Sequence, residues 1–407
     1  MRASVFQRLW WTFWFYGGAQ PTLTILFKDD LFLFSATNVI VTVTFAALVY
    51  FLVLPHRRIL FRPLNGFEIL VVLLNLVNLI SIIDSPVMSD NPLRLYGFLL
   101  STMALSFTVV FLVRAVEDVS ALVTSMARAF ILGAMVTALA PLLLMDLTAV
   151  FSSRYGLQEL IHPNSIGFRA AVAFMFLVGG VKVSRHHVVN GFLEVFFILT
   201  LLLTFSKTSL IAVTLAVALW WGMSHVTEHP VRKWFLLTAA AVPVGVLWER
   251  LIAQLLVYLE NPDLYATLTG RLPLWRLVVD LSAERPWFGF GFSTFREVIR
   301  PHTEMWWLVE IVHAHNAYLT ALLQTGVVGT LLLVMMALSL MRRALRLFKY
   351  RENGYCRLWI IVVFVILARS ITEGSFGTGG FELAIVVAWG LVGRKLDPPP
   401  IRSRTVL

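Results

Sequence analysis

Charged residues are scarce in this sequence, and what it lacks excludes several kinds of protein. Only 14% of its 407 residues are charged, whereas about a quarter of the residues in a soluble domain are charged. A single cysteine, Cys356, excludes a disulfide within the chain. The sequence contains no CxxC motif, no HExxH motif and no carboxylates at metal-ligand spacing, so it predicts neither a metal site nor a cofactor.

Long apolar runs take the place of charge. The chain is 58% hydrophobic, and its apolar runs are close to the roughly 20 residues that cross a bilayer. Because lipid cannot satisfy an unpaired backbone, such runs predict helices. The predicted fold is an all-α integral membrane protein, residues 1–407 forming a single polytopic membrane domain. We expect about 12 transmembrane helices, near residues 6–26, 32–54, 67–84, 94–113, 122–145, 166–182, 187–204, 208–224, 234–250, 316–341, 358–373 and 378–394.

The distribution of basic residues predicts the topology. The net charge is +10, but the Lys and Arg residues lie in short loops between apolar runs, which argues against nucleic-acid binding. An even number of spans puts both termini on one side. If that side is the cytoplasm, roughly 20 of the 33 Lys and Arg residues are internal. The apolar N-terminus lacks a cleavage site and is predicted to be the first span.

One predicted external loop, residues 251–315, between spans nine and ten, is too long for an ordinary connection. Its length indicates a functional or separately folded segment. Within it, Leu274, Leu277, Val278 and Leu281 recur at helical spacing and predict a short amphipathic helix.

Ionisable residues next to apolar runs are candidate functional groups, because burying them in a membrane is costly. Lys207, Arg169 and Arg271 are predicted near the outer face, where several cations would suit an anionic diphosphate. For Lys207 and Arg169, a role as an interfacial anchor is the alternative. Arg369 and Glu373 are four residues apart, which predicts one helical face and leaves open an internal ion pair.

The segment HAHNAYL, residues 313–319, places two histidines and an asparagine at the border of an apolar run. Histidine titrates near neutral pH and suits a general base. His313 and His315 are two positions apart, so at most one would point at a common centre. Asn316 is predicted to cap the following helix, to contact substrate, or both.

An ordered set of motifs resembles the O-antigen ligase and polysaccharide polymerase superfamily, in particular the exopolysaccharide-production polymerases. The motifs, from about residue 150 onward, are HPNSIG (162–167), FSKTS (205–209), LTGRLPLW (268–275), ERPWFGFGFSTF (284–295), HAHNAYLTALLQTGVVG (313–329) and RSITEGS (369–375).

The resemblance implies a metal-independent inverting glycosyltransferase in the bacterial inner membrane. Its active site would face the periplasm, and both termini would be cytoplasmic. The donor would be a glycan on undecaprenyl diphosphate, and the acceptor a lipid-linked glycan or lipid A-core; membrane lipids would be further partners.

The resemblance also implies roles for individual residues. His315 would be the catalytic base, while Arg271, Lys207 and Arg169 would bind the donor diphosphate. The secondary candidates are His313, Asn316, Arg369, Glu373 and His162.

Three functions remain open at this point. A polymerase of lipid-linked repeat units is favoured over a ligase that transfers the glycan to lipid A-core. A lipid-linked glycan transporter would also have many spans and buried charges. However, transporters often contain internal repeats, and none is evident in this sequence.

Overall fold

The structure is a computed structural model that describes residues 2–22, 31–55, 62–87, 92–143, 162–223, 271–302, 313–374 and 380–396. These residues form thirteen α-helices and contain no strand. The helices are α1 (Arg2–Ala19), α2 (Leu31–Val53), α3 (Gly66–Ile83), α4 (Pro92–Ala115), α5 (Val119–Leu139), α6 (Pro163–Val178), α7 (His187–Thr204), α8 (Lys207–Met223), α9 (Arg271–Ser282), α10 (Phe295–Ile299), α11 (Ala317–Leu347), α12 (Gly354–Thr372) and α13 (Gly380–Leu396).

Seven of the described helices are long and apolar enough to cross a membrane, which confirms a multi-pass all-α membrane protein. They are α2, α3, α4, α5, α7, α11 and α12. Two more, α6 and α8, are apolar but shorter. The span predicted near 234–250 lies outside the described residues, and the count of about 12 spans stays a prediction.

Helix α6 lies at the centre of the bundle. Apart from two residues in its first turn, Asn164 and Ser165, every residue of α6 is buried. A helix that is apolar on all sides requires neighbours all round, and α6 packs against α5, α7, α8 and α12. The motif HPNSIG is therefore held at the end of the most enclosed helix.

Helices α1 and α5 approach closely through small residues. A Cβ atom on Gly133 would lie 2.3 Å from the carbonyl oxygen of Phe15, so only glycine permits this backbone contact. The contact is strengthened by Trp10, whose indole nitrogen donates to the Leu122 carbonyl at 2.9 Å. This packing positions the end of α1, which lines a polar cavity described below.

Helix α11 is interrupted at Gly326, whose φ of 65° is not helical. The segment 286–291 fills the interruption with four backbone hydrogen bonds: Phe290 N to Leu323 O, Gly291 N to Gln324 O, Val327 N to Pro286 O and Val328 N to Trp287 O. These bonds supply backbone partners where the helical ladder is broken, as burial in a membrane protein requires.

The predicted amphipathic helix is α9. Leu274, Val278 and Leu281 are buried and Leu277 is partly buried, so the predicted apolar face is the packed one. These side chains contact Ala314, within HAHNAYL, and Trp275 donates to the Ala314 carbonyl at 2.7 Å. Helix α9 thus fixes the position of the two histidines. The boundaries predicted for the external loop stay a prediction, because residues 251–270 and 303–312 lie outside the described part of the chain.

Candidate active site

The carboxylate of Glu373 is the centre of the site. It accepts hydrogen bonds from the His315 Nδ1 at 3.1 Å, the Asn164 Nδ2 at 3.1 Å, the Thr208 Oγ1 at 3.4 Å and the Arg271 Nη2 at 3.5 Å. Glu373 is 3% exposed. We refer to these five residues as the Glu373 cluster. Each comes from a different one of the motifs found in the sequence, so four distant motifs converge on the fifth.

The cluster is built from the ends of helices. Asn164, Thr208 and Arg271 occupy the first or second position of α6, α8 and α9, and His315 directly precedes the N-cap of α11. Glu373 directly follows α12. Because a helix N-terminus carries a partial positive charge, the N-termini of α6, α8 and α11 make this region favourable for anions.

Glu373 is held in its ionised form. Burial alone would raise the pKa of its carboxyl, but the hydrogen bond from His315 and the nearby Arg369 charge outweigh burial and lower the pKa to about 2. The carboxylate is therefore an acceptor near neutral pH, and the His315 Nδ1 must carry the proton that the two share.

That hydrogen bond leaves the other ring nitrogen of His315, Nε2, unprotonated in the neutral imidazole. Such a nitrogen can accept a proton from a substrate hydroxyl. The backbone of His315 lies in the left-handed region, with φ 49°. Non-glycine residues are rare there and persist where the surroundings hold them, which is a common feature of functional sites.

His313 has a different role. Its Nδ1 accepts a hydrogen bond from the backbone N–H of His315 at 3.1 Å, so the proton of the neutral ring is on Nε2. Burial is the largest of the effects that lower the pKa of His313 to about 3. The neutral ring of His313 therefore has no vacant acceptor nitrogen, and it packs edge-on against His315 with 4.6 Å between the ring centroids.

Glycine at position 374 makes room for His313. A Cβ atom there would lie 2.7 Å from the His313 ring. The glycine that follows Glu373 in RSITEGS thus allows both histidines to pack beside the carboxylate.

Asn316 is the N-cap of α11, as predicted. Its Oδ1 accepts from the backbone N–H groups of Tyr318 and Leu319 at 2.9 and 3.0 Å, and its Nδ2 donates to the Ile371 carbonyl at 3.1 Å. His162 is also an N-cap: its Nδ1 accepts from the backbone N–H of Asn164. Both residues support the Glu373 cluster by fixing the starts of α11 and α6.

Arg369 and Glu373 lie one turn apart at the end of α12: the Glu373 N–H donates to the Arg369 carbonyl at 2.8 Å, and the Arg369 charge acts on the Glu373 carboxylate. Helix α12 ends at Thr372, and the Glu373 backbone is extended, with φ −145°. A direct ion pair between the two side chains stays a prediction. Arg369 donates to the Asn164 carbonyl at 3.2 Å and the Ser209 Oγ at 3.0 Å, and its guanidinium lies 4.4 Å from the Phe168 ring centroid. It links α12 to α6 and α8 behind the cluster.

The three predicted donor-binding cations lie in different surroundings. Arg271 is in the cluster and donates to the Thr372 carbonyl at 2.9 Å as well as to Glu373. Lys207 begins α8 and is exposed, directly before Thr208 of the cluster. Arg169 is 5% exposed and bonds to Gly17, Ser165 and Gln20. Their binding of a donor stays a prediction.

Sequence reasoning missed Asn164 and Thr208 as members of the site. Both lie inside the motifs HPNSIG and FSKTS, so the signal was present in their position beside His162 and Lys207. Neither residue type is ionisable, which is why a search for misplaced charges did not find them.

Metal binding is a further property to consider. Among the described residues, His313, His315 and Glu373 form a group whose potential ligand atoms lie within 4.8 Å of one another. A tetrahedral zinc site brings its ligand atoms to about 3.3 Å apart. His313 already accepts a hydrogen bond through Nδ1, and His315 shares a proton with Glu373, so the present contacts are explained by hydrogen bonds.

The comparisons with known proteins confirm the resemblance found in the sequence. A family model described as O-antigen ligase matches residues 192–334, which include Lys207, Arg271 and both histidines. The exopolysaccharide production protein ExoQ of Rhizobium meliloti (strain 1021) is 26% identical over 197 residues. That match covers 43% of this chain and 43% of the relative, so the chain spans less than half the length of this curated relative.

Proposed function

We propose that this protein is a membrane glycosyltransferase that moves a glycan from a polyprenyl diphosphate carrier, undecaprenyl diphosphate, to an acceptor hydroxyl. The observation that carries the proposal is the pairing of His315 Nδ1 with the buried carboxylate of Glu373, which leaves Nε2 as a base. This base lies beside Arg271 and the N-termini of α6, α8 and α11, where an anionic leaving group would be stabilised.

The proposed reaction is a single displacement. The acceptor oxygen attacks the anomeric carbon while His315 Nε2 takes its proton. A bond forms between that oxygen and the anomeric carbon, and the bond from the carbon to the diphosphate oxygen breaks. The electron pair leaves with the diphosphate, beside Arg271 and Lys207, and the configuration at the carbon inverts.

Glu373 has a supporting role in this reaction. It stabilises the imidazolium that forms when His315 accepts the proton, as the carboxylate does in other carboxylate–histidine pairs. Since Glu373 is already engaged by four donors, we assign it to positioning and charge stabilisation and propose no covalent sugar–enzyme intermediate.

We propose polymerisation of lipid-linked repeat units as the reaction, on the periplasmic side of a bacterial inner membrane. The relative named as an exopolysaccharide production protein favours this function. Ligation of the glycan to lipid A-core is the second candidate, favoured by the description of the matching family model.

The deciding experiment uses the full-length protein, purified and reconstituted into liposomes with a lipid-linked oligosaccharide donor. Products are separated by chain length. Chains of two or more repeat units indicate a polymerase, and transfer only to added lipid A-core indicates a ligase. Translocation of the donor without any new glycosidic bond would refute the enzyme and favour a transporter.

The same assay tests whether the reaction is metal-independent. We expect transfer to persist after treatment with EDTA, because the contacts of His313, His315 and Glu373 are satisfied by protons. Loss of activity on chelation that is restored by Zn²⁺ or Mn²⁺ would instead assign these three residues to a metal ion.

A further inference from the structure

A polar cavity of about 200 Å³ lies between α1, α2, α4, α6 and α13. Its wall includes Tyr16, Gln20, Asn38 and Ser101, each of which offers a hydrogen-bonding side chain. Tyr16 is hydrogen-bonded to the Asn38 Oδ1 and Ser101 to the Thr42 Oγ1 at 3.0 Å, and each of these side chains keeps further donor or acceptor capacity for a ligand. A cavity with this lining is therefore suited to a polar ligand, and its volume equals that of about seven waters at about 30 Å³ each.

The cavity wall carries one charge of each sign. Arg169 and Glu382 both line it, and the carboxylate attracts the guanidinium. Arg169 makes four hydrogen bonds, but only the bond to the Ser165 Oγ, at 2.9 Å, is short; the other three are 3.3 to 3.5 Å. Arg169 can thus form better hydrogen bonds with an incoming oxygen.

Aromatic rings complete the lining. Phe98 and Phe381 border the cavity beside the polar groups, and Phe98 is held in place by stacking on Phe292 at 5.5 Å between the centroids. A wall of mixed donors and acceptors, one charge of each sign and aromatic rings matches a ligand with many hydroxyls, apolar C–H faces and no net charge.

We propose that this cavity binds one uncharged sugar ring of the acceptor glycan. The inference rests on the proposed glycosyl transfer and holds for a polymerase and a ligase alike. Acceptor is favoured over donor because Glu382 would repel a diphosphate, whereas the Glu373 cluster has Arg271 and several helix N-termini to receive it.

The cavity and the Glu373 cluster share the first turn of α6. Ser165 lines the cavity and bonds to Arg169, while Asn164, the preceding residue, donates to Glu373. A sugar that bonds to Arg169 would therefore lie next to the turn of α6 that contacts the Glu373 carboxylate.

Two variants test the cavity in the full-length protein. Ser101→Leu fills it, since Ser101 is 2% exposed and lies in its wall. Gln20→Ala removes one hydrogen-bonding group with little loss of packing. It keeps the test valid if Ser101→Leu does not fold. Thr214→Ala is the matched control, because Thr214 is exposed on α8 and bonds only to the Leu210 carbonyl of its own helix.

In the first experiment, saturation-transfer NMR measures the binding of methyl glycosides of glucose, galactose, mannose and N-acetylglucosamine. Methyl glucuronide serves as a charged probe. We expect at least one neutral glycoside to bind, and to bind about tenfold more weakly to Ser101→Leu and about threefold more weakly to Gln20→Ala. Binding that is unaffected in both variants, a preference for the glucuronide, or no binding at all would overturn the inference.

The kinetic arm distinguishes acceptor from donor. In the transfer assay, both variants should raise KM for the acceptor and leave KM for the donor unchanged; the reverse result would overturn the acceptor assignment. Binding is also measured with His315→Ala, which should bind the glycoside normally. Because the binding experiment requires no turnover, the proposed sugar site and the proposed reaction can be refuted separately.

Discussion

Two glutamates, each 3% exposed, differ in the side chains that bond to their carboxylates. Glu68, in the first turn of α3, bonds to Arg114 at 2.6 and 2.8 Å and closes a capping box through the Asn65 backbone N–H at 2.8 Å. Glu373 is bonded at 3.1 to 3.5 Å by four side chains, one of them a histidine.

The difference separates a structural carboxylate from a functional one. Short bonds to an arginine, which never loses its charge, fix Glu68 in one state. Glu373 instead bonds to the imidazole of His315, whose other ring nitrogen can accept or donate a proton. Burial alone therefore does not identify a catalytic group; the chemistry of its partner does.

The largest effect is expected from His315→Ala, which removes the base. Transfer should fall about 10²- to 10⁴-fold, while expression and donor binding stay close to wild type. The measurement is initial rate in reconstituted liposomes, with donor binding measured separately. His186→Ala is the control, because His186 is exposed and makes no side-chain cap bond. Near-normal turnover of His315→Ala would show that the base is misassigned.

The comparison of the two glutamates is tested directly by Glu373→Gln and Glu68→Gln. Glu373→Gln should lower turnover about 10²-fold, because the neutral amide no longer stabilises the imidazolium. Glu68→Gln removes the carboxylate charge that pairs with Arg114 and should destabilise the protein by about 3–5 kcal/mol, while the folded fraction keeps its specific activity. Thermal unfolding and rate per folded molecule are measured for both. Equal losses of specific activity would remove the distinction.

Arg271→Ala should weaken donor binding about ten- to a hundredfold, the effect of one lost charge-assisted hydrogen bond to an anion. The check is KM for the donor against KM for the acceptor. Arg285→Ala is a suitable control, since Arg285 lies in the same segment of the chain but pairs with Asp84. A rise in the acceptor KM alone would place Arg271 on the other substrate.

The smallest effect concerns pH. The folded protein lowers the pKa of His313 from 6.5 to about 3, so between these values the unfolded chain binds more protons and stability falls as pH falls. The Glu373 carboxyl, with its pKa lowered from 4.5 to about 2, adds a loss only below about pH 4.5. Thermal unfolding of His313→Asn should therefore decline less than that of wild type between pH 6.5 and 4.5. Parallel curves would contradict the burial of a neutral His313.

Much of the fold was predictable because hydrophobicity is a local signal. Apolar runs such as 187–204 gave the bounds of α7, and the spacing of Leu274, Val278 and Leu281 gave the buried face of α9. The break in α11 was not predictable, because it depends on a loop some forty residues earlier that supplies the missing backbone partners.

The sequence predicted which residues belong to the site better than it predicted how they are arranged. The motifs indicated His315, Arg271 and Glu373, but helical spacing paired Glu373 with Arg369. Helix α12 ends at Thr372, and the Glu373 carboxylate bonds to His315 and Arg271; the exact end of a helix cannot be read from sequence. Likewise, the two histidines are distinguished by contacts that sequence does not show: the His315 ring bonds to Glu373, whereas the His313 ring accepts from the His315 backbone.

The interruption at Gly326 has a consequence for assembly. His315 lies just before the first part of α11, and residues 286–291 supply four backbone hydrogen bonds at the interruption. That segment is synthesised before α11, so these bonds can form only once residues 323–328 have been added to the chain. We therefore expect the loop and the interruption to become ordered together during membrane insertion.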